Sequence, residues 1–238
     1  MTDIKKSWQQ EADKRKNTDQ EFEAWFDDAK TYEETKANAI IDFYQRILTP
    51  SVYKWLGDPR GKTCLEIGCG SGRLMAAALN VFKNAIGIDL HTQDVFKRVS
   101  EKLSKIVEPT QNYNLVHRDN AFSIPEASVD FVYSFIVFQH FDSVDEVKRY
   151  FEILKHVMKP GAVGRIFFME GETQTSFAKF ASNPRIETLY VSTEDMKLIA
   201  QENGMIVRDC DRAGPKKVWQ PLGILSSQHV ITFTRAVS

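Results

Sequence analysis

The segment Leu65-Glu-Ile-Gly-Cys-Gly-Ser-Gly-Arg73 decides the fold of this 238-residue chain. It lies between an apolar run that predicts a buried strand and a periodic run that predicts a helix. Gly68, Gly70 and Gly72 remove side chains where a ligand must approach the backbone closely. Backbone amides at the start of the following helix favour an anionic group on that ligand. The segment therefore predicts a ligand site at the carboxyl end of the strand.

The glycine spacing departs from the dinucleotide fingerprint G-x-G-x-x-G. That fingerprint requires a third glycine at position 73, where this chain has Arg73, and the mismatch weakens a nicotinamide interpretation. Glu66 ends the predicted strand and is expected to face the same cavity, where a carboxylate repels a pyrophosphate and attracts an ammonium or sulfonium. The segment thus favours a zwitterionic ligand over a polyanion. A solvated glycine turn with a surface glutamate is the alternative, since short glycine motifs recur by chance.

Two further acidic positions follow the next two predicted strands. Asp89 lies 21 residues past Gly68, close to the spacing of about 20 at which an acid accepts hydrogen bonds from ribose hydroxyls. A helix cap is the alternative role for this aspartate. Asp119, with the neighbouring backbone groups of Asn120 and Ala121, is predicted to bind an adenine edge. The glycine loop and both acids follow successive strands, at the rim where open α/β sheets bind ligands.

From residue 62 onward, strand and helix patterns alternate, which predicts a mostly parallel sheet covered on both faces. We expect a Rossmann-like α/β fold with seven strands. No helix separates the last two strands, so the last strand is expected to be antiparallel. The predicted strands are Thr63–Ile67, Ala85–Asp89, Tyr113–Val116, Asp130–Phe135, Val163–Met169, Met205–Asp211 and His229–Thr234. The predicted helices are Gly72–Val81, Gln93–Ile106, Val144–Met158 and Thr193–Asn203.

The first sixty residues are predicted to form helices of their own. Thr18-Asp-Gln-Glu21 and Thr31-Tyr-Glu-Glu34 have the capping-box pattern that begins a helix. One apolar stripe follows, formed by Ile40, Ile41, Tyr44, Ile47 and Leu48. We therefore expect an N-terminal helical segment over residues 1–60, serving as a cap or lid, and a ligand-binding domain over residues 61–238.

The composition excludes several classes of protein. Lys and Arg number 31 and Asp and Glu 32, for a net charge of -1, which argues against a dedicated nucleic-acid binder because phosphate contacts need a basic surface. The longest apolar run is far shorter than the roughly 20 residues of a membrane span, and the N-terminus has no signal-peptide pattern. Cys64, Cys69 and Cys210 lack metal-ligand spacing. We expect a cytoplasmic protein with reduced thiols, no metal site, and no nucleic-acid or membrane partner; its oligomeric state is left open.

The motifs, in their order along the chain, resemble those of class I S-adenosylmethionine-dependent methyltransferases. The resemblance rests on Leu65–Arg73, Gly87–Leu90, Asp119–Ala121, Val129–Ser134 and Met158-Lys-Pro-Gly161. It implies that Glu66 and the glycines hold the methionine part of S-adenosylmethionine, Asp89 the ribose and Asp119 the adenine. The stretch Ser134–Phe141 is similar to small-molecule methyltransferases of bacterial biosynthetic pathways. The implied cofactor-binding residues are Glu66, Gly68, Cys69, Gly70, Gly72, Arg73, Asp89, Leu90, Asp119, Asn120, Ala121, Ser134 and Phe135.

The expected reaction moves a methyl group from S-adenosylmethionine to an oxygen or nitrogen of a small polar metabolite. Displacement on an activated carbon depends mainly on positioning, worth about 7–11 kcal/mol, and a base is needed only when the acceptor keeps its proton at pH 7. His140 follows the fourth strand and is the leading candidate for that base; packing against the next helix is its alternative role. Gln139 is a candidate for orienting the acceptor. Further acceptor-side candidates are Arg212, Lys216, Lys217, Trp219, Glu172, Phe177, Phe180, Arg185, Trp25, Phe26, Tyr32 and Tyr44.

Two other functions are compatible with a glycine loop followed by an acid. A nicotinamide-dependent oxidoreductase is disfavoured by Arg73 and Glu66. A non-catalytic regulatory protein that binds S-adenosylmethionine would keep Glu66, Asp89 and Asp119, so these residues do not separate it from an enzyme.

Overall fold

A computed structural model describes residues 32–171, 176–178, 188–213, 217–219 and 224–237. The first predicted capping box lies outside the described residues, as do the acceptor-side candidates Trp25, Phe26, Glu172, Phe180, Arg185 and Lys216. The chain divides into two compact units, the first ending at Ile124 and the second beginning at Pro125. Among the described residues, no helix combines the length and the apolar character needed to cross a bilayer.

The described part of the first unit begins with helices. Helix α1 spans Tyr32–Asp42, a π-helical turn spans Phe43–Ile47, and helix α2 spans Pro50–Leu56. Helix α2 begins with a proline at its first position, and the Thr49 side chain accepts a hydrogen bond from the backbone N–H of Val52. This cap satisfies an amide that has no partner within the helix, which explains where the helix starts.

The predicted apolar stripe on these helices is wrong for three of its five members. Ile40 and Ile41 are each 47% exposed and Tyr44 is 38% exposed, whereas Ile47 and Leu48 are buried. The buried face instead carries Thr35, Ala39, Phe43 and Ile47, four residues apart. The Leu48 N–H donates to the Phe43 carbonyl, five residues back, and this wider turn keeps Phe43 and Ile47 on one face.

Three parallel strands form the sheet of the first unit. Strand β2 (Asn84–Asp89) lies between β1 (Thr63–Ile67) and β3 (Asn112–His117). Helix α3 (Arg73–Ala78) connects β1 to β2, and helix α4 (Gln93–Leu103) connects β2 to β3. Because the strands are parallel, the segments that follow them meet at one edge of this sheet.

Gly87, in the middle of β2, lets the glycine loop and helix α3 pack directly on the strand. A Cβ atom there would lie 2.4 Å from the Met75 sulfur and 2.8 Å from the Cys69 sulfur. These distances are well inside van der Waals contact, so any side chain at this position displaces the loop or the helix.

The second unit combines parallel and antiparallel pairing. Strand β4 (Val129–Ser134) pairs in parallel with β5 (Met158–Gly171), while β10 (Ile224–Arg235) pairs antiparallel with both β5 and β8 (Met205–Arg212). The remaining elements are the short strands β6 (Ser176–Ala178), β7 (Thr188–Tyr190) and β9 (Lys217–Trp219), a 3-10 turn at Phe138–His140, and helices α5 (Val144–Val157) and α6 (Thr193–Glu202).

The predicted α/β class is confirmed, including the antiparallel last strand. All seven predicted strands are present, and three short strands, β6, β7 and β9, lie in addition within Glu170–Tyr190 and Asp211–Gln228, two segments in which no strand was predicted. Strand β7 pairs with β5, and β9 pairs with β10. These short strands depend on pairing with distant parts of the chain, a factor that local periodicity does not contain.

Candidate functional site

The glycine loop between β1 and α3 is folded onto the second strand by its own backbone. The N–H groups of Gly68 and Cys69 both donate to the Ile88 carbonyl, at 2.8 and 3.1 Å, and the Gly72 N–H donates to the Cys69 carbonyl at 2.7 Å. Gly68, Gly70 and Gly72 have φ angles of 75°, 51° and 77°. Glycine adopts this left-handed region at no steric cost, so the turn explains all three glycines.

Asp89 closes this loop from the end of β2. Its Oδ2 atom accepts a hydrogen bond from the Gly70 N–H at 2.8 Å, and its Oδ1 atom accepts one from the Leu90 N–H at 2.6 Å. An ionised carboxylate offers about four acceptor sites, so these two bonds leave capacity for a ligand. The structure thus brings the glycine loop and Asp89 together, as the spacing indicated.

Glu66 and Asp89 give the loop a negative interior. Glu66 is 3% exposed and pairs with Gly87 in the register of β1 and β2. Burial raises the pKa of the Cys69 thiol well above its usual range, and the carboxylates of Asp89 and Glu66 raise this pKa further. Because both carboxylates raise the pKa of the same thiol, both lie close to it. A site beside two carboxylates attracts an ammonium or sulfonium group and repels a pyrophosphate.

Arg73 is occupied by a contact within the first unit. Its side chain is 8% exposed, and its Nη1 atom donates to Asp42 Oδ2 at 3.1 Å. Asp42 Oδ1 also lies 3.3 Å from Arg46 Nε. This charge cluster joins α1 to α3. The guanidinium that stands at the third-glycine position of the dinucleotide fingerprint therefore serves the packing of the N-terminal helices.

Asp119 lies in a 3-10 turn, Arg118–Ser123, directly after β3. The Nε and Nη2 atoms of the buried Arg118 donate to Asp119 Oδ1 at 3.1 and 2.9 Å, and the Asp119 side chain is 54% exposed. Arg118 thus orients the Asp119 carboxylate, which is still exposed to solvent on its other side. In the same turn Asn120 is exposed and Ala121 is buried.

The second unit carries two predicted cofactor-binding residues, Ser134 and Phe135, followed by the residues predicted around the acceptor. Ser134 and Phe135 are buried at the end of β4, where the Phe135 ring packs edge-on against Phe167 with centroids 4.9 Å apart. The next residue, Ile136, has a φ angle of 60°. A β-branched side chain is strained in this region, and such strain concentrates at functional positions. Sequence reasoning missed Ile136, because nothing in its residue type signals a positive φ.

Gln139 and His140 lie in the 3-10 turn that follows. The turn is anchored by Phe138, whose buried ring packs against Phe141 and Tyr150 with centroids 4.6 and 5.8 Å apart. Gln139 Nε2 lies 3.4 Å from His140 Nε2. Gln139 Oε1 is buried and has no hydrogen-bond partner among the residues that the structure describes. Since an unsatisfied buried acceptor costs about 1–3 kcal/mol, this atom marks a place where a ligand donor would be favourable.

Two polar clusters went undetected in the sequence, since neither has a characteristic spacing. In the first unit, His91 is buried, and its Nε2 atom lies 3.0 Å from the Gly70 carbonyl. In the second, Glu170 lies 3.0 Å from His229 Nε2 and accepts a hydrogen bond from the Thr193 hydroxyl. The glutamate cluster joins the start of α6 to β5 and β10.

The other acceptor-side candidates are dispersed over the described residues. In the first unit, Tyr32 begins α1 and Tyr44 is exposed. In the second, Arg212 ends β8, while Lys217 and Trp219 belong to β9 and Phe177 to β6. The roles of these residues stay predictions.

Comparison with known proteins agrees with this geometry. Residues 65–166 match the family model described as a methyltransferase domain. Malonyl-[acyl-carrier protein] O-methyltransferase 2 of Ilyobacter polytropus is 29% identical over 151 residues, which make up 60% of this chain and 54% of that protein. The chain thus matches about half the length of this curated relative.

Solved structures share the fold at low sequence identity. A methyltransferase dependent on S-adenosylmethionine from Methanosarcina mazei has a TM-score of 0.60 at 16% identity, covering 80% of this chain and 99% of that one. The 1,6-didemethyltoxoflavin-N1-methyltransferase of Burkholderia thailandensis, solved with S-adenosylhomocysteine, has a TM-score of 0.64 at 15% identity, covering 98% and 88%. The family match begins in β1, ends in β5 and contains the glycine loop, Asp89 and Asp119, so this part of the chain is a methyltransferase domain.

Proposed function

We propose that this protein transfers the methyl group of S-adenosylmethionine to an oxygen or nitrogen atom of a small polar metabolite. The observation that supports the proposal best is the acidic glycine loop, where Glu66 is buried on β1 and Asp89 accepts a hydrogen bond from the Gly70 N–H. A cationic ligand group is favoured there, and S-adenosylmethionine carries both an ammonium and a sulfonium. When bound, this cofactor supplies a methyl group already activated for displacement.

The residues of the first unit fit this cofactor part by part. The Glu66 carboxylate, buried beside the glycine loop, suits the ammonium group of the methionine end. Asp89 keeps acceptor capacity for ribose hydroxyls beside its bonds to Gly70 and Leu90. Asp119, held by Arg118 and half exposed, suits the adenine amino group. The glycines matter because the positive φ angles of the loop require them.

Gln139 and His140 suit the acceptor. The buried Oε1 atom of Gln139 gains a hydrogen bond when the acceptor brings an N–H or O–H group. The neighbouring imidazole takes the proton when the acceptor is a hydroxyl, and an amine that arrives unprotonated needs no base. Aromatic packing around Phe138 holds the turn in place, which serves the positioning on which methyl transfer mainly depends.

The curated relative suggests a second acceptor class, because its name assigns O-methylation of a malonyl thioester to that protein. A carboxylate acceptor needs no general base and brings only acceptor atoms. It would leave Gln139 Oε1 without a hydrogen bond. We therefore favour an acceptor that carries an N–H or O–H group over a carboxylate.

We further propose that residues 1–60 form a helical cap and residues 61–238 the domain that binds S-adenosylmethionine. Support comes from the Asp42–Arg73 ion pair, which joins α1 to the helix that begins directly after the glycine loop. A cap attached at this point would respond to the binding of a cofactor in the glycine loop.

Calorimetry with S-adenosylmethionine, S-adenosylhomocysteine and NADH tests the cofactor. We expect the first two to bind and NADH not to bind; binding of NADH alone would overturn the proposal. Incubation of candidate amines, alcohols and carboxylic acids with S-adenosylmethionine, followed by mass spectrometry, then tests the reaction. A gain of one methyl group on an amine or alcohol supports the proposed acceptor class. Cofactor binding without any methylated product would indicate the regulatory alternative.

A further inference from the structure

We propose that His91 is a positioning residue for the cofactor, acting through Gly70 and Asp89. The inference rests on the proposed function, because it assigns these two residues to S-adenosylmethionine. His91 lies two residues after Asp89 and is 7% exposed. Its Nε2 atom is 3.0 Å from the Gly70 carbonyl oxygen and 3.6 Å from Asp89 Oδ2.

Hydrogen bonding fixes the proton on this imidazole. A carbonyl oxygen only accepts hydrogen bonds, so Nε2 must carry the hydrogen and donate it to Gly70. The same N–H group lies near the Asp89 carboxylate but too far for a second hydrogen bond of normal length. The positive end of this N–H dipole nonetheless lies beside the negative charge of Asp89.

Gly70 is consequently held at both of its backbone groups. Its N–H donates to Asp89 at 2.8 Å, and its carbonyl accepts from His91 at 3.0 Å. Glycine on its own samples many backbone conformations, so a glycine in the middle of a loop needs such bonds to keep one. The two bonds therefore fix the loop and the Asp89 carboxylate in one arrangement before a ligand arrives, which reduces the ordering cost of binding.

The imidazole itself is held by helix α4. The His91 ring packs edge-on against the ring of Phe96, with centroids 5.7 Å apart, and Phe96 is 6% exposed. This packing stabilises the fold around the imidazole. It also supplies a control, because the ring contact is changed at Phe96 without touching the hydrogen bond.

The experiment measures the dissociation constant of S-adenosylhomocysteine by calorimetry and the melting temperature of each variant. His91→Phe keeps an aromatic ring without the donor, and we expect it to bind about tenfold more weakly. His91→Gln places an amide Nε2 near the imidazole Nε2 position, so we expect its affinity to stay within about threefold of the wild type. Phe96→Leu is expected to lower the melting temperature and leave the affinity unchanged.

Each outcome decides the inference. A folded His91→Phe variant with wild-type affinity overturns it, and so does a Phe96→Leu variant that weakens binding as much as His91→Phe, since packing would then explain both effects. If His91→Phe does not fold, His91→Asn replaces it: its amide is too short to reach Gly70, and affinity equal to that of His91→Gln overturns the inference. A wild-type protein that binds no S-adenosylhomocysteine overturns the proposed function, whereas wild-type binding with unaffected variants overturns only the role of His91.

Discussion

The ends of the strands in the two units are built in opposite ways. In the first unit, the loop after β1 and the aspartate that ends β2 are bonded to each other: the Gly70 N–H donates to Asp89, and the Gly70 carbonyl contacts His91. In the second unit, the segment after β4 contains a strained residue, Ile136, and a buried oxygen of Gln139 with no partner among the described residues.

The difference separates two kinds of recognition. A cofactor with fixed chemistry is suited by a loop whose conformation is complete before binding, since the ordering cost is then small. An acceptor site gains specificity from a polar group that is satisfied only when the right ligand is present, because a wrong ligand leaves that group buried and unpaired. We therefore expect changes in the first unit to affect cofactor affinity and changes around Gln139 to affect the acceptor.

Gly70→Val should have the largest effect and abolish cofactor binding. Gly70 has a φ angle of 51°, where a β-branched residue is strained, and the added side chain fills the approach to the backbone. Calorimetry with S-adenosylhomocysteine measures the loss. The matched control is Gly61→Ala, at a position with open space around the new Cβ atom, which should bind normally. Normal binding by Gly70→Val would show that the loop is only structural.

His140→Ala should lower turnover about 10²–10⁴-fold with a hydroxyl acceptor and leave cofactor affinity intact. Only the neutral imidazole accepts a proton, so the turnover of the wild-type protein with a hydroxyl acceptor should fall at acidic pH. His156→Ala, on helix α5, is the matched control and should turn over normally. If the turnover per folded molecule of His140→Ala is unchanged, His140 is not a general base and positioning alone accounts for the reaction.

Asp89→Asn should weaken cofactor binding by about 1.5–3 kcal/mol, or roughly 10–150-fold. The amide places a donor against the N–H of Gly70 or of Leu90, both of which donate to Asp89 in the wild type. Asp130→Asn is the control in the second unit, where the carboxylate pairs with Lys159 at 2.8 Å. It should change cofactor affinity little. Equal affinities for the two variants would remove Asp89 from the site.

Gly164→Ala should lower the free energy of unfolding by about 1–3 kcal/mol. A Cβ atom on this residue of β5 would lie 2.2 Å from two atoms of the buried Phe233 ring, and a packed ring has little freedom to move. Gly61→Ala in the first unit, where nothing lies within 4 Å of the new Cβ atom, should cost less. Urea unfolding compares the two variants, and the opposite order would show that the second unit is the more adaptable one.

Gln139→Leu should have the smallest effect and raise the KM for the acceptor by roughly 2–13-fold, the equivalent of one hydrogen bond. Because the substitution removes a buried oxygen without a described partner, the stability of the protein should stay the same or increase. Gln111→Leu provides the contrast, since the Gln111 amide donates to the carbonyls of Leu79 and Phe82. That variant should lose stability. A Gln139→Leu variant with reduced stability and unchanged KM would contradict the proposed acceptor contact.

Local sequence patterns were sufficient for the main elements. The periodicity of apolar residues located the seven long strands. Ser143 and Glu146 have the spacing of a capping box, and the Ser143 hydroxyl accepts from the Glu146 N–H at 3.4 Å at the start of helix α5. The glycine loop and Asp89 were found for a related reason. A turn with positive φ demands glycine, and a fixed strand–helix–strand length brings the next acid to the same edge.

Other features depended on contacts between distant residues. The face buried by α1 was predicted wrongly because a π-helical turn follows it, and the short strands were missed because their pairing partners lie far along the chain. Arg73 was predicted to bind the cofactor because it belongs to the glycine-loop motif, and in the structure its guanidinium forms an ion pair with Asp42. Its partner lies 31 residues away, beyond the reach of any local pattern.

The sequence by itself therefore determined the α/β class, the glycine turn and the acid that follows it, since these depend on backbone sterics and on the spacing of neighbouring elements. Only the tertiary structure decided what each side chain bonds. In the folded chain, His91 Nε2 lies within hydrogen-bond distance of the Gly70 carbonyl, and Arg73 forms an ion pair with Asp42. Gln139 Oε1 has no partner among the described residues. Hydrogen bonds and ion pairs act over a few ångströms in space, so residues that are far apart along the chain meet only once the chain is folded.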